Sequence, residues 1–281
     1  MNPYTIITFP ELNITLDPSK GIDLGPVHIA WYGAIIACGM VLAVLYALRR
    51  REEFGLTEDH LIDGVLCVVP FAILCARLYY CVFEWDTYAS NPISVLYIWQ
   101  GGLAIYGGIL GAAVGMLVYC KWKRISFFAT TDLVSLGFLI GQSAGRWGNF
   151  FNREAFGGKT DSFLRMGLFN TLTQEFEYHH PTFLYESVWN LVGLALLHWF
   201  SKRRQYDGQV SLLYVAWYGL GRAWIEGLRT DSLYIPGTPI RVSQLLAAVS
   251  CLAAVAVLLW QSRRPHDPQK LFANRQKEEN T

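Results

Sequence analysis

Two runs of the sequence, Val27–Leu48 and Val242–Ser262, contain no Lys, Arg, Asp or Glu. Each is long enough to cross a bilayer as a helix, which takes about 20 predominantly apolar residues. A third uncharged run, Thr87–Cys120, exceeds one span, and Tyr88-Ala-Ser-Asn-Pro92 marks part of it as loop. Stretches 61–83, 127–149 and 209–226 are apolar but carry two charges each, and 182–200 has Glu186 near its start. The pattern predicts an all-α polytopic membrane protein of about seven transmembrane helices. Composition agrees: 53% of the 281 residues are apolar and 16% charged, against about a quarter charged in a soluble domain. Disordered, coiled-coil and disulfide-stapled chains are excluded. A net charge of +1 gives no footprint for nucleic acid.

Basic residues set the expected orientation, because they gather in cytoplasmic loops. Fourteen follow alternate spans or lie in the tail, from Arg49-Arg50-Arg51 to Lys277, and five lie on the opposite side. This predicts an extracytoplasmic N-terminus and a cytoplasmic C-terminus. The first span lacks a basic n-region ahead of it and reads as an uncleaved signal anchor. Three regions are expected: an extracytoplasmic arm, 1–26; a membrane core, 27–262, with a small folded cap over 152–180; and a polar, partly disordered tail, 263–281. The arm alternates apolar and polar residues, as an extended or interfacial segment does. Six cysteines, at 38, 67, 75, 81, 120 and 251, lack metal-ligand spacing and read as small buried hydrophobes.

Glycines recur every four residues at 107, 111 and 115 and again at 137, 141 and 145. Such stripes let helix backbones approach in lipid, so the third and fourth spans are expected to form a tight core. No internal repeat of the transporter kind is visible. A charge within a span costs about 2.5 kcal/mol or more unless it meets a partner or cavity. Arg77, Asp132, Arg146, Glu186, Arg222 and Glu226, with Asp63 near a span end, are therefore candidates for function.

Tyr218, Arg222, Glu226 and Arg229 fall within about 80° of one another at 100° per residue, on one helix face. A plain Arg222–Glu226 pair accounts for only two of them. Arg146 and Asn149, three apart, share another face close to Asn152, Arg153 and Glu154. Guanidinium and amide donors together suit the phosphate of an anionic lipid; the bland alternative is an interfacial arginine beside Trp147. His180 precedes Pro181, a residue suited to a first helical turn, and is a candidate acid, base or cap. Tyr32 and Tyr106 lie inside spans and need partners for their hydroxyls.

The stretch Gly145-Arg-Trp-Gly-Asn-Phe-Phe-Asn-Arg-Glu-Ala-Phe-Gly157 resembles the signature of the bacterial prolipoprotein diacylglyceryl transferases. Trp31-Tyr32-Gly33, Gly101-Gly-Leu-Ala-Ile-Tyr-Gly-Gly108, His180-Pro-Thr-Phe-Leu-Tyr-Glu186 and Tyr218-Gly-Leu-Gly-Arg-Ala-Trp-Ile-Glu226 are similar to further family motifs, in the family's order. The resemblance implies a bacterial cytoplasmic-membrane enzyme with its active site toward the extracytoplasmic side. It implies transfer of the sn-1,2-diacylglyceryl group of phosphatidylglycerol to the lipobox cysteine of preprolipoproteins, forming a thioether and releasing glycerol phosphate. Its partners are then phosphatidylglycerol, lipobox peptides and the bilayer, with no metal or cofactor. Arg146, Asn149, Glu154 and Gly157 match signature positions for substrate binding, with Tyr32 and Arg229 beside them. Tyr218, Arg222 and Glu226 match the later catalytic motif. Many members carry His where this chain has Tyr106, while others carry Tyr. Tyrosine, with an ordinary pKa of about 10, is a poor base near neutrality, which leaves Tyr106, His180 and Glu226 as alternatives. Readings from other classes are a membrane transporter and a non-catalytic lipid-binding relative.

Overall fold

The computed structural model describes residues 3–25 and 27–279. The chain is mostly helical, with seven helices of 17 residues or more among the described residues: α1 (Trp31–Arg50), α2 (Glu58–Phe83), α4 (Ile105–Lys123), α5 (Phe127–Asn152), α6 (Thr182–Ser201), α7 (Gln209–Ile225) and α8 (Val242–Ser262). The short α3 (Trp85–Ala89) and α9 (Phe272–Glu279) complete the set. Four stretches are long and apolar enough to cross a membrane: Trp31–Phe54, Glu58–Phe83, Ile105–Lys123 and Val242–Ser262. Their flanks expose large apolar side chains such as Leu42, Leu66, Val118 and Leu252, a surface that hydrocarbon solvates and water does not. The other three long helices, α5 to α7, hold Asp132, Arg146, Glu186 and Arg222.

The chain forms two compact units, residues 1–47 with 132–268 and residues 48–131 with 269–281. In the first, the all-helical expectation needs correcting. The arm forms β1 (Tyr4–Phe9) and β2 (Ile14–Leu16), and the cap contributes the hairpin β5 (Met166–Asn170) and β6 (Glu175–His179). Together they make an antiparallel sheet of order β2-β1-β5-β6, with Ile7 opposite both Leu16 and Leu168. Ile7 and Leu168 are fully buried with Phe150, Met166 and Phe183. Arg153, with left-handed φ of 53°, lies under the arm. Its guanidinium donates to the carbonyls of Thr5 and Pro18, the latter at 2.6 Å. A second hairpin, β3 (Gly21–Leu24) and β4 (Val27–Ala30), takes residues assigned to the first span, so α1 starts at Trp31. A short apolar run fits strand and helix equally by periodicity.

Helices α6 and α7 are locked by a tryptophan clamp. Trp189 and Trp217 stack at 4.3 Å between ring centroids, and each indole N–H donates to the other's backbone carbonyl, at 3.1 and 3.0 Å. Gly193 and Gly221 make room: a Cβ on either would collide with the indole opposite. Asp132 holds the start of α7, accepting from the backbone N–H groups of Gly208 (2.8 Å) and Ser211 (2.7 Å) and from the Ser211 hydroxyl. It is a helix cap, which accounts for one intramembrane charge in structural terms.

In the second unit, α4 lies on α2. Gly107 and Gly111 face Tyr79 and Cys75 so closely that a Cβ would collide. The glycines of α5 serve another helix. Gly137 faces Ala43 of α1, and Gly141 lies opposite Gly39 of α1. Each stripe thus packs closely on a helix of its own unit. Arg77, buried in α2, donates to the carbonyls of Ser94, Val95, Gly101 and Gly102 at 2.6–3.0 Å and folds the loop before α4. Asp63 pairs with Lys123 at 2.6 Å. The tail is more ordered than its composition predicts. Phe272 and Ala273 are buried, and Ala273 packs on Gly55, whose φ is 71°. Cys81 and Cys120 are buried as expected, but Cys38 and Cys67 are exposed on helix flanks.

Candidate active site

Within the first unit, three guanidiniums gather on one carboxylate. Glu186 sits in the first turns of α6 and is 4% exposed. One of its carboxylate oxygens is 2.7 Å from Arg146 of α5. The carboxylate also accepts from Arg222 of α7, at 3.1 and 3.2 Å. Arg229 follows a 3-10 turn, Glu226–Leu228, and approaches Glu186 at 3.6 Å. Glu226, 2% exposed, pairs with Arg222 at 2.6 Å and stands 3.9 Å from Arg229. Arg222 therefore lies between two carboxylates. Leaving such charges unpaired in a buried place is costly, so each arginine demands an anion.

The neighbouring side chains hold this cluster from outside. Asn149 accepts from Arg146 at 3.4 Å and donates to Glu154 at 3.0 Å. Asn152 donates to the same Glu154 oxygen at 3.3 Å. Arg229 makes a two-pronged pair with Asp231, at 2.9 and 2.7 Å. Burial pulls the Arg229 value down, but Asp231, Glu186 and Glu226 outweigh it and raise it above the ordinary guanidinium range. Burial likewise pushes the Asp231 carboxyl up, yet Arg229 holds it below its usual value. Arg241 donates to the Glu226 carbonyl and fixes the turn below Arg229.

Gly157 knots three segments. Its N–H donates to the His180 carbonyl at 2.9 Å, it bridges to Arg229, and Gly158 N–H donates to Leu228 at 2.8 Å. A Cβ on Gly157 would stand 2.7 Å from the His180 Cβ and 3.0 Å from the Leu228 carbonyl. The backbone approach thus requires glycine there. His180 lies just before α6, its Nδ1 3.4 Å from the Tyr185 hydroxyl. Burial, then the neighbouring His179, holds its pKa below the usual imidazole value, so the ring is neutral near pH 7.

The residues singled out from sequence divide accordingly. Arg146, Asn149, Glu154, Arg222, Glu226 and Arg229 form one connected network of ion pairs and hydrogen bonds. Gly157 and His180 form the knot beside Arg229. Tyr218, expected on the same helix stripe, stacks on Tyr214 at 5.9 Å. Tyr32 lies over Gly148, where a Cβ would approach its ring to 2.6 Å. Tyr106 belongs to the second unit, in the first turn of α4, 38% exposed. Glu186 is the residue whose part went unread. Its charge within a span flagged it, but helical spacing relates residues of one helix, and Glu186 meets arginines from two other segments. Asp231 lies in a polar loop and gave no signal.

These features define a multi-pass membrane protein whose helices carry a buried guanidinium–carboxylate centre. A family model described as prolipoprotein diacylglyceryl transferase matches residues 20–260. Among similar proteins is the phosphatidylglycerol–prolipoprotein diacylglyceryl transferase of Lactiplantibacillus plantarum, 41% identical over 260 residues, 88% of this chain and 89% of the relative. The enzyme of that name from Bacillus licheniformis is 40% identical, covering 89% of this chain and 95% of its own length. That from Geobacillus kaustophilus is 41% identical, covering 86% and 91%. The chain belongs to the prolipoprotein diacylglyceryl transferase family.

Proposed function

We propose that the chain is a phosphatidylglycerol–prolipoprotein diacylglyceryl transferase acting through the arginine cluster around Glu186. The observation that carries this reading is the convergence of Arg146, Arg222 and Arg229 on that carboxylate. The substrate is a phosphodiester, and the bond to be broken leaves negative charge on its phosphate. Donors placed where charge develops lower the barrier. Arg146 and Arg222 supply them from two helices, and Asn149 with Glu154 sets the angle of Arg146.

In the reaction the lipobox thiol loses its proton to a base and its sulfur attacks the glycerol carbon. The carbon–oxygen bond to phosphate breaks, its electron pair stays on that oxygen, and glycerol phosphate leaves. Free Cys has a pKa near 8.5, and guanidiniums beside the sulfur lower it. His180 is the base best supported, as a neutral imidazole next to the Gly157–Arg229 knot. Tyr106 and Glu226 remain as the other candidates, though Glu226 is already committed to Arg222. Tyr218, through its stack on Tyr214, steadies the α7 face leading to Arg222. Tyr32 and Gly157 border the lipid site.

In this reading all seven long helices cross the bacterial cytoplasmic membrane. The arm, 1–26, and cap, 152–180, lie outside with the active site, and the tail, 263–281, lies in the cytoplasm. The test uses purified protein in liposomes with phosphatidylglycerol and a peptide carrying a lipobox cysteine. Mass spectrometry is expected to find a diacylglyceryl adduct on the thiol and none on a serine peptide. No adduct from folded protein overturns the reading.

A further inference from the structure

A site built from arginines has a difficulty in releasing its product. The substrate phosphodiester carries one negative charge. The glycerol phosphate that leaves is a monoester, with about −1.5 to −2 at neutral pH. Three guanidiniums that hold the first will hold the second more tightly. Charge-assisted hydrogen bonds to arginine are among the strongest a protein makes. Turnover therefore needs an anion of the protein's own that competes for the same donors.

Glu186 has the geometry of that competitor. Among the described residues it alone makes ion pairs with all three arginines, at 2.7, 3.1 and 3.6 Å. Among the described residues Glu226 makes ion pairs with Arg222 and Arg229 but not Arg146, and Asp231 makes one with Arg229. Arg146 has Glu186 as its one carboxylate partner among the described residues, with Asn149 at a long 3.4 Å. Arg222 keeps Glu226 on its other nitrogen, so it stays paired and placed when Glu186 lets go. The carboxylate stands in the first turns of α6, whose packing on α7 through the tryptophan clamp keeps it within reach.

We propose that Glu186 is a displaceable internal counter-anion: it yields Arg146 and Arg222 to the lipid phosphate and recaptures them to expel the phosphomonoester product. No bond to Glu186 forms or breaks in this step; one anion replaces another on the same guanidiniums. The proposal rests on the transferase reading and assigns Glu186 a positioning and release role within it.

The experiment is steady-state transfer by the full chain in liposomes, with added glycerol phosphate as product inhibitor. Glu186→Gln removes the competing charge. Its inhibition constant for glycerol phosphate should fall about tenfold, the scale of one charge-assisted hydrogen bond, with a lower KM for phosphatidylglycerol and a lower kcat. Glu186→Asp keeps the charge but shortens the reach, and should shift the inhibition constant the same way by about threefold. It serves as the informative variant if Glu186→Gln does not fold. An unchanged or weaker product inhibition in a folded variant overturns the proposal, since a purely structural glutamate would lower kcat without tightening the product. Absence of a thioether product with the wild-type chain would instead overturn the transferase reading.

Discussion

In the proposed reaction Arg146 and Arg222 do the same chemical work from different helices, and each has its own anchoring partners. Replacing either by Ala should lower kcat at least 100-fold, on the order of losing a preorganised donor at a developing anion. Thermal melting in detergent should show the protein still folded, and wild-type rates in either variant would refute the mechanism. His180 makes a pH prediction. Its folded value lies below the ordinary imidazole value, so protonation sets in on the acid side. If it is the base, kcat/KM falls as pH drops, with an apparent pKa below about 6.5. The stability sign agrees: the unfolded chain takes up the proton first, so this contribution is present above that value and lost as pH falls. A pH–rate profile of His180→Gln should lack the acid limb. An unchanged limb would move the role to Tyr106 or Glu226. At this scale the arginines were legible because a charge in a span demands a reason. Glu186 was flagged by the same logic, but its partners lie more than thirty residues away on either side and no local rule reaches them.

The element that aligns the cluster is the α6–α7 pair. Two exchanged indole hydrogen bonds and two glycines fix one helix against the other, and that sets Arg222 opposite Glu186. Gly221→Ala puts a methyl into the Trp189 ring. The expected cost is about 1–3 kcal/mol of overpacking, seen as a lower melting temperature, together with a fall in kcat greater than that of Gly137→Ala, whose Cβ would stand 3.5 Å from the Ala43 Cβ, in ordinary van der Waals contact. Equal effects from the two would mean the clamp has no part in aligning the site. Helix positions were legible to within a few residues because apolar runs and basic ends mark them. The clamp was not, since a tryptophan in an apolar run looks the same whether it faces lipid or a neighbouring glycine. The glycine stripes announced close packing but could not say against which helix.

For the whole molecule, the sequence carried the helical class and the family, and composition alone was enough to place the chain in a membrane. It did not carry the sheet. The arm's alternation was visible as extended chain, but its partner lies in the cap, far along the sequence. The orientation rests on where basic residues gather. Cysteine at Thr173, in the β5–β6 turn, should react with a membrane-impermeant maleimide in intact cells, and cysteine at Gln205, between α6 and α7, should not. The reverse pattern would invert the topology.

The pairing of β1 with β5 sets an order of events in the making of this protein. Ile7 leaves the ribosome well before its strand partner, and Leu168 opposite it follows after roughly 160 more residues. At about 5–20 residues per second, the arm waits on the order of ten seconds or more for its strand partner. For most of that interval Arg153, the residue that later fastens Thr5 and Pro18, is also unmade. The first strand is thus synthesised early and paired late, and a binding partner that engages it in the meantime should trap the nascent chain before the β5–β6 hairpin can close on it.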